Sequence, residues 1–365
     1  MVISLKLEAS MNTMRQSLKR KSCLPVRLRT LLRTPLRVGR KCEKGRWVYS
    51  VFAFICVCLS YSHSANARTY GVVMAGLGGT EDYAVAFNDA SLSLSGALRT
   101  LESDESLVIT LDEKASRNDL LAAISDQTER MKRDAEQLAA SGASGKQAVF
   151  VLMLVGHGNA DANGWRFNVT GPDLTTDDLI AALNTVPASQ QLVVLAASAS
   201  GAALDPLSQL GRVVLTATKS GGEINAVRFP EFFAQAVQSD VADFDRNEIL
   251  TVAEAYRFAD ARTRDYFEQQ KLLASEHSRL RGDLADEFPI ALLGSLKDAR
   301  DDPVVAQLLD ERLVLEQTFK SLRERKNDLP VEQYYVELEE LLLSIARLQQ
   351  SIDETTGWSE NDADS

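Results

Sequence analysis

Along most of the chain, short apolar runs alternate with stretches in which apolar residues return every three or four positions. Residues 70–75 (YGVVMA) form a β-rich run stopped by Gly76-Leu77-Gly78-Gly79, and 83–101 continue with helical character. Residues 107–111 predict a second strand. In 118–140, Leu120, Leu121, Ile124, Met131 and Leu138 recur at helical spacing, ahead of a Gly/Ser linker. Residues 148–155 (AVFVLMLV) are apolar without a break, as a central strand covered on both faces requires. A Thr/Asp-rich cap region opens a helix over 174–183. Strands are predicted over 192–196 and 212–216, helices over 229–237 and 252–271, and a last strand over 288–293. This alternation predicts an α/β sandwich around a mostly parallel sheet. Sites in such sheets lie at the carboxyl ends of strands. Three such ends stand out: residues 76–80, Gly156-His157-Gly158, and Ala197-Ser198-Ala199-Ser200-Gly201.

The period changes after residue 300. Val305, Leu308, Leu309, Leu313, Leu315, Phe319 and Leu322 mark one helix over 303–326, and Asn327-Asp328-Leu329-Pro330 breaks it. A second helix over 331–352 follows with Tyr334, Tyr335, Leu338, Leu341, Leu342, Ile345, Leu348 and Ile352. The prediction is an antiparallel helical hairpin of coiled-coil character. Two helices alone bury little core, which suits an arm that docks a protein partner or a second copy of the chain. The acidic tail 353–365 is expected to be disordered.

Charge divides the chain. Residues 1–46 carry thirteen Lys/Arg against two acids, leaving 27 basic and 49 acidic residues in 68–365, a net −22. So acidic a body is a poor match for a nucleic-acid backbone, and no nucleic-acid partner is expected. The basic leader ends in an apolar run over 47–62 and the small residues Ser64-Ala65-Asn66-Ala67. That order fits a signal peptide cut before Arg68, or a retained N-terminal anchor, and places the body in the periplasm or outside the cell. The basic part is long for a signal peptide, which suits a true translation start further downstream. Cys23, Cys42, Cys56 and Cys58 all precede residue 59, so a processed chain has no thiol nucleophile and no cysteine metal site.

The chemistry-bearing residues converge on two strand ends. His157, flanked by glycines that permit close approach, ends one buried run; Ser198 ends the next, 41 residues later. A base and a nucleophile so placed can face each other. Here the chain resembles the caspase-like peptidases, the legumain and caspase group, above all the secreted bacterial legumain-like (C13-type) branch. In that group a strand ends in His-Gly and the next in a Cys set among small and acidic residues. The matching segment here reads Ala196-Ala197-Ser198-Ala199-Ser200-Gly201, and the resemblance spans 70–267. It implies a caspase-like three-layer sandwich with His157 in the place of the catalytic His. It puts the backbone N–H groups of Gly158 and Ser198 in the places of the oxyanion donors, and Ser198 in that of the nucleophilic Cys. A serine hydroxyl is far less acidic than a thiol and needs an oriented base, usually with a third group behind it. Asp161 and Asp173 are near only in sequence. The expectation is therefore a pseudopeptidase that binds peptide or protein segments in the former substrate cleft. The alternatives are a hydrolase with a Ser198–His157 dyad and an envelope assembly component acting through the C-terminal helices. The small residues over 196–203 also suit simple close packing.

Residues 243–254 (DFDRNEILTVAE) nearly match a twelve-residue EF-hand loop. Asp243, Asp245 and Asn247 stand at positions 1, 3 and 5, the Ile249 carbonyl at 7 and Glu254 at 12, an oxygen set that suits Ca²⁺. Position 6, where the loop needs glycine, is Glu248. The plain alternative is an acidic turn capping the helix that follows, with an Asp or Asn as the cap. No other cofactor is expected: the glycines over 76–80 lack a P-loop ending and a G-x-G-x-x-G, and read as a turn. His277, after Glu276 in a charged stretch, reads as a solvated surface residue.

Overall fold

A computed structural model of the chain describes residues 68–140 and 148–357. The leader, the Gly/Ser linker and the end of the acidic tail lie outside the described residues. The chain runs β1 (Arg68–Ala75), α1 (Glu81–Arg99), β2 (Val108–Leu111), α2 (Arg117–Ala140) and β3 (Ala148–Gly156). Three short strands follow, β4 (Gly158–Asp161), β5 (Gly164–Phe167) and β6 (Leu174–Thr175), then α3 (Thr176–Leu183) and β7 (Gln190–Ala197). Next come α4 (Leu204–Leu207), β8 (Arg212–Thr216), α5 (Phe229–Ala236), β9 (Ile249–Thr251), α6 (Val252–Gln269) and β10 (Arg279–Arg281). The chain finishes with β11 (Pro289–Leu292), α7 (Gly294–Ala299), α8 (Pro303–Glu324) and α9 (Val331–Thr356).

The central sheet has the order β2-β1-β3-β7-β8-β10. All its pairings are parallel except that of β10 with β8. Alternation along each strand explains the unbroken apolar runs. Val151, Met153 and Val155 of β3 join one core with Phe87, Leu94 and Leu98 of α1, Phe229 and Phe233 of α5, and Phe258 of α6. Phe150, Leu152 and Leu154 point the other way, into a core with Leu120 and Ile124 of α2, Leu179 of α3 and Leu207 of α4. The molecule is thus a mixed α/β protein whose mainly parallel sheet has helices on both faces.

Two expectations need correction. Residues 174–183 are not wholly helical. Thr175 caps α3 by taking the Asp178 N–H while the Asp178 carboxylate takes the Thr175 N–H, so Leu174–Thr175 stay extended as β6. The strand expected over 288–293 is β11, but it pairs with β9 in a separate two-stranded sheet. The central sheet is completed instead by β10, whose three residues Arg-Leu-Arg carry no strand signal.

At the C-terminus, Asp302 caps α8 through the Val304 N–H and Pro303 sits where a missing N–H costs nothing. Leu322 of α8 meets Tyr334 and Leu341 of α9, and the Arg312 guanidinium reaches Gln349 Oε1 at 2.6 Å. Leu296, Val305 and Ile352 form a further cluster that joins α7, α8 and α9. Helix α9 runs to Thr356 and ends at Gly357 in the left-handed region (φ 74°), four residues into the stretch expected to be disordered. Among the described residues no helix is long and apolar enough to cross a membrane.

Candidate functional site

From β1 the chain goes to β2 on one side of it and returns to β3 on the other. The order reverses between β1 and β3, and the crevice at such a reversal is where open α/β sheets bind ligands. The loop after β1 lines this crevice. Gly76 N–H donates to the Val155 carbonyl (2.8 Å) and Leu77 N–H to the Asn168 carbonyl (3.0 Å). Gly78 lies so close to the start of α1 that a Cβ there would overlap the Ala84 backbone.

His157 is the first residue past β3. Its half-buried ring stands edge-to-face with Tyr83 and Phe87 of α1, each centroid 4.9 Å away, and those two rings stack on one another at 5.7 Å. Burial pushes the imidazole below its ordinary pKa, while a hydrogen bond with the Gly78 backbone pulls the other way. The net direction leaves His157 neutral at pH 7, the form that accepts a proton.

Ser198 follows β7, which pairs with β3 in a register that sets Gly156 opposite Ala197. His157 and Ser198 are therefore the next residues on adjacent strands, as the sequence predicts. They are not joined by a hydrogen bond. Ser198 is 1% exposed and its Oγ has no hydrogen-bond partner among the described residues. Its backbone is fixed instead: the Ser198 carbonyl takes Trp165 Nε1–H at 3.0 Å, and Ala199, in the left-handed region (φ 56°), donates its N–H to the Glu223 carbonyl at 2.8 Å. Gly158 is pressed against both partners, since a Cβ would stand 2.6 Å from Trp165 Nε1 and 2.8 Å from the Ser198 carbonyl oxygen. Asp161 gives His157 no support, because it pairs with Arg166 (2.8 Å) and takes the Asn163 N–H. The small residues over 196–203 do serve packing: Ala197, Ala199, Ser200 and Ala203 are all buried.

Several residues of this region have no advance signal in the sequence. Tyr83 and Phe87 could be found only as an aromatic pair one helical turn apart behind the glycine loop. Trp165 and Phe167 alternate with Gly164 and Arg166 in a strand of only four residues, too short to register as a run. His277 is not the freely solvated residue its charged neighbours suggest, for its Nδ1 lies 2.5 Å from Glu223 Oε1 and Glu276 beside it is buried.

The 243–254 loop brings together the three carboxylates among its five nominated residues, and Asn247 joins them by donating Nδ2–H to Asp245 Oδ2 (3.0 Å). Carboxylate oxygens of Asp243, Asp245 and Glu254 lie within 4.8 Å of one another. Asp243 accepts the N–H groups of Asn247 (3.1 Å) and Glu248 (2.7 Å), which draws the chain into a tight turn. Glu248 takes the left-handed conformation (φ 61°) that glycine would supply at position 6. Its side chain offsets that strain by receiving the Ser295 hydroxyl (2.7 Å) and the Leu296 N–H (3.0 Å) at the start of α7. Asp245 is the exposed member, yet partial desolvation, then Glu254 and Asp243, push its carboxyl up to about 6. Asn247 turns its Oδ1 to the Ile249 N–H (2.7 Å), and Ile249 lies in β9 opposite Leu292. The cap of α6 is Thr251 with Glu254, not an Asp or Asn.

Neither a family model nor a curated protein matches this sequence.

Proposed function

We propose that this is an exported caspase-like protein, of the legumain and caspase kind, that holds peptide or protein segments in the crevice over β1, β3 and β7 without acting as a peptidase. One observation carries the reading: Ser198 Oγ is sealed and unpartnered beside a His157 held by Gly78, Tyr83 and Phe87. A working serine needs its hydroxyl on the base and a third group behind the base. A crevice lined by exposed Tyr83, neutral His157 and backbone groups of the glycine loop keeps what binding requires. Treatment with a fluorophosphonate probe is expected to leave the protein unlabelled. Labelling that vanishes in both Ser198→Ala and His157→Ala would establish the hydrolase instead.

We also propose that the 243–254 loop takes Ca²⁺ as a structural ion, with Asp243, Asp245 and Glu254 as ligands. The crowding of three carboxylates in a turn of EF-hand spacing supports it. Calcium at a hundredfold excess over its Kd is expected to raise stability by about 2.7 kcal/mol. Thermal melts in calcium and in chelator check this, and Glu254→Gln is expected to remove the difference. Identical melts in the two buffers reject the site.

A further inference from the structure

Helix α9 buries one side and leaves the other bare. Tyr334 and Leu341 pack with Leu322 of α8, and Ile352 packs with Leu296 and Val305. On the outer side Val331, Tyr335, Val336, Leu342 and Leu343 are 45% to 72% exposed, and Ala346 is exposed beside them. Helical geometry sets these residues in two adjacent rows. Val331, Tyr335, Leu342 and Ala346 follow one another at spacings of four and seven, and Val336 and Leu343 stand seven apart in the next row. From Val331 to Ala346 the strip runs about 22 Å at 1.5 Å per residue. Apolar residues scattered singly over a surface need no explanation, but a continuous row of them marks a contact.

Charge is ordered along the same face. Arg347 is the only base in 331–356, against six acids. It lies one turn beyond Leu343, and Glu339 and Glu340 lie one turn before it. All three are exposed, and among the described side chains no carboxylate pairs with Arg347. We propose that this face of α9 is the contact between two copies of the chain, packed antiparallel about a twofold axis at Leu343. Reversing the helix sets Arg347 of each copy against Glu339 and Glu340 of the other, while the exposed leucines close over the axis. A parallel pairing would set acids on acids and Arg347 on Arg347. The face is therefore its own complement in one direction only, which is the property an isologous contact requires. A lipid surface is a poor occupant for a helix with a single base. One helix face buries an area at the low end of specific interfaces, so association in the micromolar range is expected. The contact does not depend on what the crevice binds.

Sedimentation equilibrium of the processed protein from about 1 μM to about 100 μM tests this. The weight-average mass is expected to rise from that of a monomer to twice that value. Leu343→Asp sets like charges against each other on the axis and is expected to leave the protein monomeric throughout. Arg347→Glu is expected to weaken association about tenfold, and combining it with Glu339→Arg and Glu340→Arg is expected to restore most of the affinity. Leu210→Asp, in the exposed turn before β8, is expected to dimerise as the wild type does. All the substituted side chains are exposed, so the helical circular dichroism of each variant is expected to stay unchanged. A monomer at every concentration overturns the proposal and leaves the face to a different partner. A dimer that Leu343→Asp does not disturb also overturns it, as does a charge swap that fails to restore what Arg347→Glu removes.

Discussion

Trp165→Ala is expected to lower stability by about 3–5 kcal/mol, the range for emptying the site of a large buried aromatic. Trp165 is fully buried between the central sheet and the β4-β5-β6 sheet, its ring 6.0 Å from Phe167. The variant also loses the bond from Nε1 to the Ser198 carbonyl. Trp165→Phe separates the two contributions. It keeps most of the volume but leaves a buried carbonyl unpaired, for about 1–3 kcal/mol. Denaturant midpoints at unchanged slope measure both. If Trp165→Phe matches the wild type, the indole does not hold the Ser198 turn, and the rigidity assigned to that turn loses its main support.

The second large effect is at Gly201, where the turn after Ser198 crosses the chain leaving β8. A Cβ there would overlap Lys219 C and Ser220 N and stand 2.6 Å from the Thr218 carbonyl oxygen. These are backbone atoms, which cannot swing aside as a side-chain end can. Gly201→Ala is expected to cost about 3 kcal/mol, the upper end for overpacking. Gly96 is the built-in control. It is exposed on α1, and a Cβ there meets nothing within 4 Å. Gly96→Ala should therefore gain up to about 1 kcal/mol from helix propensity alone. Thermal melts of the pair are expected to shift in opposite directions. A neutral Gly201→Ala would mean that the 198–201 and 218–220 turns can part without penalty.

Much of the sheet is legible because burial on both faces leaves a strong trace. The run 148–155 is short, rich in valine and stopped by Gly156, which favours a two-sided strand over a buried helix, and β7 and β8 show the same trace in shorter form. What escapes is held by interactions that leave no periodicity. β4 and β5 are four residues each, and β10 is Arg-Leu-Arg, paired to β8 at the sheet edge. The candidate site divides in the same way. Strand ends are readable, so His157 and Ser198 could be placed side by side. Whether they bond is not, because that depends on where Trp165, Gly158 and Glu223 hold the turn. Glu276 and His277 show the limit most clearly. Their neighbours are charged, hydropathy puts them at the surface, and only the tertiary fold reveals that one is buried against a helix terminus.

The register of the sheet also sets how the molecule comes to be folded. Arg68 pairs with Ala148, eighty residues further on, and β1 lies inside the sheet with its other edge on β2. The first strand to be made therefore waits for chain made much later, and β1 with β2 alone is a bare parallel pair that cannot persist in water. Closing such long loops is the slow part of folding, which puts this chain among those that fold in milliseconds to seconds rather than microseconds. Until β3 and β7 arrive, residues 68–111 have no sheet to join and stay open to whatever handles the chain first.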